Sequence, residues 1–342
     1  MTWYIDQGPE SDVIISSRVR LARNHDRYPF PHKLDKKQAR QVAQEIVDAF
    51  YDADQERKRH YVDVDLSSLS AEDLDSLVEK RLISEDLARE MAGARAIISR
   101  DESLSLMINE EDHIRIQSMK AGLDLEGAYQ AAYLVSLSLE QSLPLAYSEQ
   151  YGFLTACPTN TGTGMRASVM AHLPGLVQAG NIRAVLESLG KMGFAVRGLY
   201  GEHSKAEGSL FQISNQLTLG LSEDDLLSDL RRMVQQLLEK ERQARKALYQ
   251  KSPVDLEDRA ERSLALLRSA RLMTHEEAQK LVSEVRLGVS LGILRDVTPQ
   301  TLNRIASVMG PASIQKASGR QMNARERDTA RASLIRDLLK KS

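Results

Sequence analysis

Four short stretches concentrate residue types that handle charge. In Ser16-Ser17-Arg18-Val19-Arg20-Leu21-Ala22-Arg23, the arginines at 18 and 20 are separated by one apolar residue. On a strand, alternate side chains share a face, so both guanidiniums would point the same way. Such a pair presents forked donors that suit the oxygens of a polyphosphate. In Asn109-Glu110-Glu111-Asp112-His113-Ile114-Arg115-Ile116-Gln117, three carboxylates follow one another. Their repulsion is costly unless a cation or a metal meets them, and Arg115 stands close by. Cys157-Pro158-Thr159-Asn160-Thr161-Gly162-Thr163-Gly164-Met165-Arg166-Ala167-Ser168 sets the chain's one cysteine in a small-residue loop near Arg166. A loop of this kind running into a helix would turn backbone N–H groups toward an anion. It is neither a Walker A loop, since no Gly-Lys-Ser/Thr follows, nor a G-x-G-x-x-G fingerprint. Finally, Val196-Arg197-Gly198-Leu199-Tyr200-Gly201-Glu202 carries an arginine and a glutamate at the ends of a glycine-bracketed loop. Taken singly, each stretch has an ordinary structural explanation: a solvated strand face, a polar hairpin turn, a buried cysteine, a flexible loop tip.

The elements that must position these residues follow from periodicity. Strands are expected at 12–16, 94–99, 104–109, 113–117, 193–197 and 210–214. Links such as 100–103 and 109–112 cannot hold crossover helices, so neighbouring strands should pair antiparallel. Helices are expected at 36–51, 70–80, 124–142, 166–172 and 181–191. The expected fold class is α+β, a mainly antiparallel sheet flanked by helices. From Glu223 the texture becomes helical, with Leu226, Leu230, Met233 and Leu237 three or four apart on a helix running to about 250. Ser252-Pro253 breaks it, and 255–342 reads as all helical. The expected division is an α+β domain at 1–252 and a small all-α domain at 253–342.

Composition narrows the class of function. Over 342 residues the apolar fraction is 42% and the formal net charge −2, which gives no global attraction to nucleic acid or a membrane surface. Arginine outnumbers lysine 31 to 15, a bias toward the cation that grips carboxylate and phosphate in two-pronged fashion. A single cysteine excludes an internal disulfide and a multi-cysteine zinc site, and suits a reducing cytosol. No apolar run approaches the ~20 residues of a membrane helix, and the first residues lack a signal peptide's apolar core. A soluble cytoplasmic protein is expected.

In combination and order, S-x-R-V-R, N-E-E-D-H-x-R-I, C-P-T-N-x-G-T-x-M-R-A-S and R-G-x-x-G-E closely resemble the phosphagen (guanidino) kinase family, across residues 12–250. Within the family the likeness is greatest to bacterial members that act on arginine in proteins, and it extends through the C-terminal helices. The resemblance implies that Arg18, Arg20, Arg115, Arg166 and Arg197 clamp the phosphates of ATP bound with Mg²⁺. The nucleotide site would also take in Ser16, Ser17, Val19, Ala167, Ser168, Val169, Met170, Gly198, Leu199, Tyr200, Gly201 and Glu202. The chemistry explains the clamp, because phosphoryl transfer is mostly positioning and neutralisation of developing charge. It also explains the acids. A guanidinium, with a pKa above ~12, has no usable lone pair until it sheds a proton. The resemblance implies Glu111 as general base, Glu202 as second carboxylate on the guanidinium, and Cys157 as a thiolate that steadies the cationic substrate. No protein metal ligands are implied, the Mg²⁺ being held largely by ATP and water.

Relatives carry Lys-His-Leu-Ile-Ser where this chain has Lys80-Arg81-Leu82-Ile83-Ser84. Arg81 would then replace a nucleotide-contacting histidine as a phosphate partner. Near the far end, Arg327-Asp328-Thr329-Ala330-Arg331-Ala332 is similar to the R-D-x-x-R-A element of the protein-arginine kinases. On a helix Arg327 and Arg331 share a face. The element implies phosphoarginine docking and allosteric activation, with a solvated helix face as the ordinary alternative. Members that act on free arginine or creatine carry an extra helical domain before the S-x-R-V-R strand, which here begins at Asp12. The missing lid suits an arginine presented on a protein. The expected activity is transfer of the ATP γ-phosphoryl group to arginines in proteins, marking them for Clp-type proteolysis in a stress response. The expected partners are protein substrates, a zinc-finger activator, a Clp unfoldase and further copies of the chain. A small-guanidine kinase of the same family and a non-catalytic phosphoarginine-binding adaptor are the alternatives.

Overall fold

The structure, a computed structural model, describes residues 2–89, 93–198 and 207–340. In chain order its strands are β1 (Ile14–Arg23), β2 (Tyr61–Asp65), β3 (Arg95–Ser99), β4 (Leu104–Ile108), β5 (Ile114–Ala121), β6 (Tyr147–Ser148), β7 (Gly152–Phe153), β8 (Met165–His172), β9 (Phe194–Gly198) and β10 (Leu210–Asn215). The helices are α1 (Lys36–Asp52), α2 (Arg57–His60), α3 (Ala71–Glu79), α4 (Glu85–Arg89), α5 (Leu125–Glu140), α6 (Pro174–Gln178), α7 (Ile182–Lys191) and α8 (Glu223–Lys251). After Ser252 follow α9 (Pro253–Ser269), α10 (His275–Ser290), α11 (Pro299–Val308), α12 (Pro311–Ser318) and α13 (Ala324–Leu339). Helix starts are set locally: Asp35 with Gln38, Ser222 with Asp225, and Asn323 with Glu326 form reciprocal capping boxes on α1, α8 and α13.

Eight strands make one sheet in the order β2-β3-β4-β5-β1-β8-β10-β9, with every neighbouring pair antiparallel. The α+β architecture and antiparallel pairing are as expected. The segment 166–172 is a correction: it forms strand β8, not a helix. Met-Arg-Ala-Ser-Val-Met-Ala-His carries small residues, and all but Arg166 are buried between β1 and β10. A strand enclosed on both sides shows no alternation of polar and apolar residues. The loop before it therefore runs into a strand, and no helix N-terminus faces an anion there. The edge strand β2 was not expected at all.

The two sheet faces have different fates. On one, Val19, Leu21, Ile114, Ile116, Ala167, Val169 and Ile213 pack against Ile46 and Phe50 of α1, Ala132 and Val135 of α5, and Leu230 and Val234 of α8. On the other, Leu74, Leu82, Ile83 and Leu87 cover Ala96, Ile98 and Met107 near one edge. The helices after Ser252 have a core of their own, including Leu264, Leu267, Val285, Leu302, Ile305 and Ile335. They reach the sheet through His172 Nε2 and Ser283 Oγ at 2.8 Å, and Arg245 Nη1 donates to Ser290 Oγ at 3.0 Å. Among the described residues no helix is long and apolar enough to cross a membrane.

Candidate active site

Residues paired across antiparallel strands share a face. Arg20 stands opposite Arg166 on β8 and Gln117 on β5, two residues from Arg115. Arg18 stands opposite Ser168, and Arg18 Nε donates to Ser168 Oγ at 3.4 Å. Gln212 of β10 pairs with both Met170 of β8 and Arg197 of β9. The register therefore puts Arg18, Arg20, Arg115, Arg166 and Arg197 on one face, the one opposite the large core. Ser16, Ser168 and Met170 lie on this face too, whereas Val19, Ala167 and Val169 belong to the core side. Ser17 is buried, its Oγ donating to Gly122 O at 2.8 Å.

So many like charges weaken one another. Burial, then Arg20, Arg81, Arg166 and Arg115, hold the Arg18 guanidinium well below the ordinary arginine value. Burial, then Arg115 and Arg166, bring Arg20 down to about 9, with Glu110 opposing. An anion bound on this face would relieve that repulsion.

The three carboxylates of the 110–112 turn go to three places. Glu110 is buried, with 3% of its side chain exposed, and accepts from Arg115 Nη1 and Ser84 Oγ, both at 2.6 Å. Glu111 is 43% exposed and takes Arg115 Nη2 at 2.7 Å. Asp112 points inward, where Oδ1 accepts from Asn24 Nδ2 at 2.7 Å and from the Ala156 amide at 2.8 Å, and burial pushes its carboxyl upward. Through Ala156 the acid turn is pinned to the cysteine loop. His113 is locked beside it, Nδ1 accepting from the His25 amide at 3.1 Å and Nε2 lying 3.0 Å from Pro29 O; burial brings it down to about 4.

Cys157 sits at the mouth of that loop, its Sγ 3.0 Å from Thr159 Oγ1. Asn160 Nδ2 reaches Glu111 Oε2 at 3.5 Å, so cysteine loop and acid turn meet at the exposed carboxylate. Thr218 Oγ1 ties the loop down on Thr159 O and Thr161 O, both at 2.8 Å. Gly162 has φ +116°, and a Cβ there would fall 2.3 Å from Thr218 O, so only glycine lets the loop approach this closely.

Arg81 lies in the turn after α3 with φ +61°, rare for a side-chain-bearing residue. Its carbonyl accepts from Gln117 Nε2 at 2.6 Å, and its charge is among those depressing Arg18. Leu199, Tyr200, Gly201 and Glu202 fall outside the described residues, and Gly198 ends β9 beside Arg197. The far element is divided. Arg327 donates to Met322 O at 2.7 Å and lines the cavity described next. Arg331 is 2% exposed, Nε donating to Met309 O at 2.7 Å and Nη1 to Met273 O at 2.8 Å and Asp328 Oδ1 at 2.6 Å. Ala332 is buried behind it.

A cavity of ≈ 820 Å³ opens over the arginine face. Its floor includes Ser16, Arg18, Arg20 and Gln117, one wall is the Lys80–Arg81 turn, and another comes from Ser283, Arg286, Asn303 and Arg327 of the C-terminal helices. Among the described residues no group of three or more His, Cys, Asp and Glu could hold a metal ion. Arg18, Arg20 and Arg81 line this cavity, whereas Arg115, Glu111 and Cys157 stand beside it at the acid turn and cysteine loop, outside its lining. Guanidiniums gathered in this way can neutralise the charge that develops in phosphoryl transfer.

Residues 41–244 match the model of the ATP:guanido phosphotransferase C-terminal catalytic domain, and residues 253–342 match the C-terminal domain of the protein-arginine kinase McsB. The chain belongs to the ATP:guanido phosphotransferases, in the protein-arginine kinase branch. This kinase is 42% identical to the protein-arginine kinase of Halothermothrix orenii, over 98% of its own length and 96% of the relative's. It is also 42% identical to that of Bacillus subtilis, over 99% and 93%. Among solved structures it resembles a duplicated taurocyamine kinase of Schistosoma mansoni with bound transition-state-analogue components. The TM-score is 0.62 and the identity 28%, over 71% of this chain and 35% of that one, about a third of the duplicated protein. A lombricine kinase shares the fold at a TM-score of 0.60 and 23% identity, over 71% of each chain.

Sequence reasoning missed three residues that hold this kinase's site together. Glu110, Gln117 and Ser84 fix Arg115, the Arg81 carbonyl and the acid turn. Their signal was position within the quoted motifs, and only the sheet register shows what they touch.

Proposed function

We propose that this kinase transfers the γ-phosphoryl group of ATP to arginine side chains in proteins. The observation that carries the reading is the convergence of Arg18, Arg20, Arg115, Arg166 and Arg197 on one sheet face, with Glu111 exposed at its rim. ATP would lie with its phosphates on the guanidiniums, and Mg²⁺ would arrive on those phosphates and help screen them. Glu111 would turn from Arg115 to the incoming guanidinium and accept its proton as the nitrogen attacks phosphorus and ADP leaves. Glu202 is assigned the opposite side of that guanidinium by resemblance alone, and Cys157 the steadying of its charge. The likeness to protein-arginine kinases over nearly the whole chain supports protein arginine as acceptor, in preference to free arginine. The intact arginine face and Glu111 argue against a non-catalytic adaptor.

We further assign catalysis to 1–252, and docking and self-association to 253–342; the two family matches fall on either side of that boundary. For Arg327, Asp328, Arg331 and Ala332 we propose phosphoarginine docking through Arg327 and Asp328, with Arg331 and Ala332 supporting them from the core. A zinc-finger activator, a Clp unfoldase acting on the marked proteins, a stress role and a cytoplasmic setting complete the proposal on resemblance. The test offers MgATP with an arginine-rich unfolded protein, and separately free arginine, and reads products by mass spectrometry. Phosphate on protein arginines that disappears in Glu111→Gln is the expected result. Transfer only to free arginine would replace this reading with the small-guanidine kinase, and no transfer to either acceptor would favour the adaptor.

A further inference from the structure

Helix α12 begins without a side chain to cap it. Its cap position is Gly310, followed by Pro311, and the first amides of a helix need an acceptor from elsewhere. That acceptor comes from 233 residues away. Glu79 Oε1 accepts from the Ala312 amide at 2.9 Å, and Oε2 from the Ser313 amide at 2.7 Å and Ser313 Oγ at 2.6 Å. A carboxylate on a helix N-terminus is favoured by the helix dipole as well as by the hydrogen bonds. The fit is tight, since a Cβ on Gly310 would lie 2.2 Å from Glu79 Cδ. Two more contacts hold α3 to this region: Lys316 Nζ of α12 meets Asp73 Oδ1 at 2.9 Å, and Gln321 Nε2, in the link after α12, donates to Glu72 Oε1 at 3.2 Å.

Glu79 is also the last residue of α3, and the next two residues are Lys80 and Arg81. Lys80 Nζ is held by Glu102 at 2.6 Å. Arg81, with its positive φ, gives its carbonyl to Gln117, which stands opposite Arg20. The turn that brings the Arg81 charge to Arg18 is thus anchored at one end on the sheet and at the other on a helix of the C-terminal part. An uncommon backbone conformation persists only where its surroundings hold it, and Glu79 supplies the anchor on the C-terminal side.

We propose that Glu79 is a positioning residue for nucleotide binding: by capping α12 it fixes the end of α3 and so the reach of Arg81 toward the phosphates on Arg18 and Arg20. This rests on the reading of those arginines as the nucleotide clamp. Glu79 touches no substrate, so its effect passes through Arg81 and shows in affinity for ATP, leaving the chemical step untouched. It also makes the C-terminal helices part of the nucleotide site, since whatever shifts α12 shifts Arg81.

The test is a double-mutant cycle on the full chain, reading KM for MgATP and kcat with a protein substrate. Glu79→Ala is expected to raise KM roughly 3- to 10-fold with kcat within about twofold, the span of ordinary coupling energies. In an Arg81→Ala background the same change is expected to add nothing. Gly310→Ala, which displaces the carboxylate but leaves α3 intact, should reproduce the KM effect and serves if Glu79→Ala unfolds. An unchanged KM in both variants, or an equal rise with Arg81 already removed, would overturn the proposal. Arg18→Ala separates the two layers. If it raises KM while Glu79→Ala does not, the clamp stands and the latch falls; if neither does, the clamp reading itself has failed.

Discussion

Glu110 and Glu111 both grip Arg115, but one does so from the interior and the other from the rim. Only the exposed carboxylate can exchange Arg115 for an incoming guanidinium. Glu111→Gln is expected to lower kcat by roughly 100-fold or more with Tm unchanged, because the proposed general base is lost and no core contact is. Single-turnover phosphoryl transfer measures the first and calorimetry the second; unchanged turnover would remove Glu111 from that role. Glu110→Gln should do the reverse in kind, lowering Tm because it strands a guanidinium that is mostly enclosed. A neighbouring residue sets a pH dependence. His113 is held near 4 in the fold against 6.5 as its ordinary value, because burial favours the neutral ring. As pH falls through 6.5 the unfolded chain takes up that proton and the folded chain does not. The stability His113 contributes is therefore complete above 6.5 and is lost on the way down to 4, by up to about 3 kcal/mol. Asp112 works in the opposite sense, since its carboxyl is raised, and offsets part of the loss. Melting curves from pH 7 to 4.5 should fall more steeply for the wild type than for His113→Asn, and parallel curves would contradict this.

At the scale of elements, α13 carries its two arginines to different ends. Arg331 is enclosed and bonds the carbonyls of Met273 and Met309, stitching α13 to the segments before α10 and after α11. Arg331→Ala should lower stability by on the order of 3–5 kcal/mol, read as a sharp fall in Tm, and Arg331→Lys should not restore it because an ammonium lacks the fork. Arg327→Ala should leave Tm intact and weaken phosphoarginine binding, measured by calorimetric titration with ATP affinity as the control. Shared loss of both affinities would make Arg327 structural. A helix at α13 was legible, but the split between an enclosed Arg331 and a cavity-lining Arg327 was not visible in Arg-Asp-x-x-Arg-Ala. The same limit explains β8. A strand was expected only at 12–16, and the common direction of Arg18 and Arg20 only if it ran on; β1 does run on, to Arg23, and alternation around Val19 then sets both arginines on the polar side. Met165–His172 lies between β1 and β10 with nearly every side chain enclosed, and small residues without contrast read as helix. Arg166 was therefore placed near the phosphates by resemblance, while its position opposite Arg20 came only from register.

On the scale of the whole molecule, the ≈ 820 Å³ cavity has walls from both parts of the chain. Nucleotide bound in it should steady more than the sheet. At 100 times its Kd, a ligand selective for the folded state adds about 2.7 kcal/mol. MgADP is expected to slow amide exchange in α11 and α12 as well as in β1, and protection confined to the sheet would mean that the two parts open independently. The order of strands has another consequence, for how the protein is made. Strand β1 emerges first from the ribosome, yet its two neighbours are β5 and β8, and the face is finished by β10 beside β9. Closing such distant pairings is slow because long loops must be ordered before contacts reward them. Nothing short of residue 215 has all the strands of the arginine face, so a half-made chain presents β1 with open edges and an unmatched row of cations. Such edges invite pairing with other chains. Nascent copies of this kinase should accordingly be among the cell's more chaperone-dependent products until β10 is in place, and should hold no nucleotide before then.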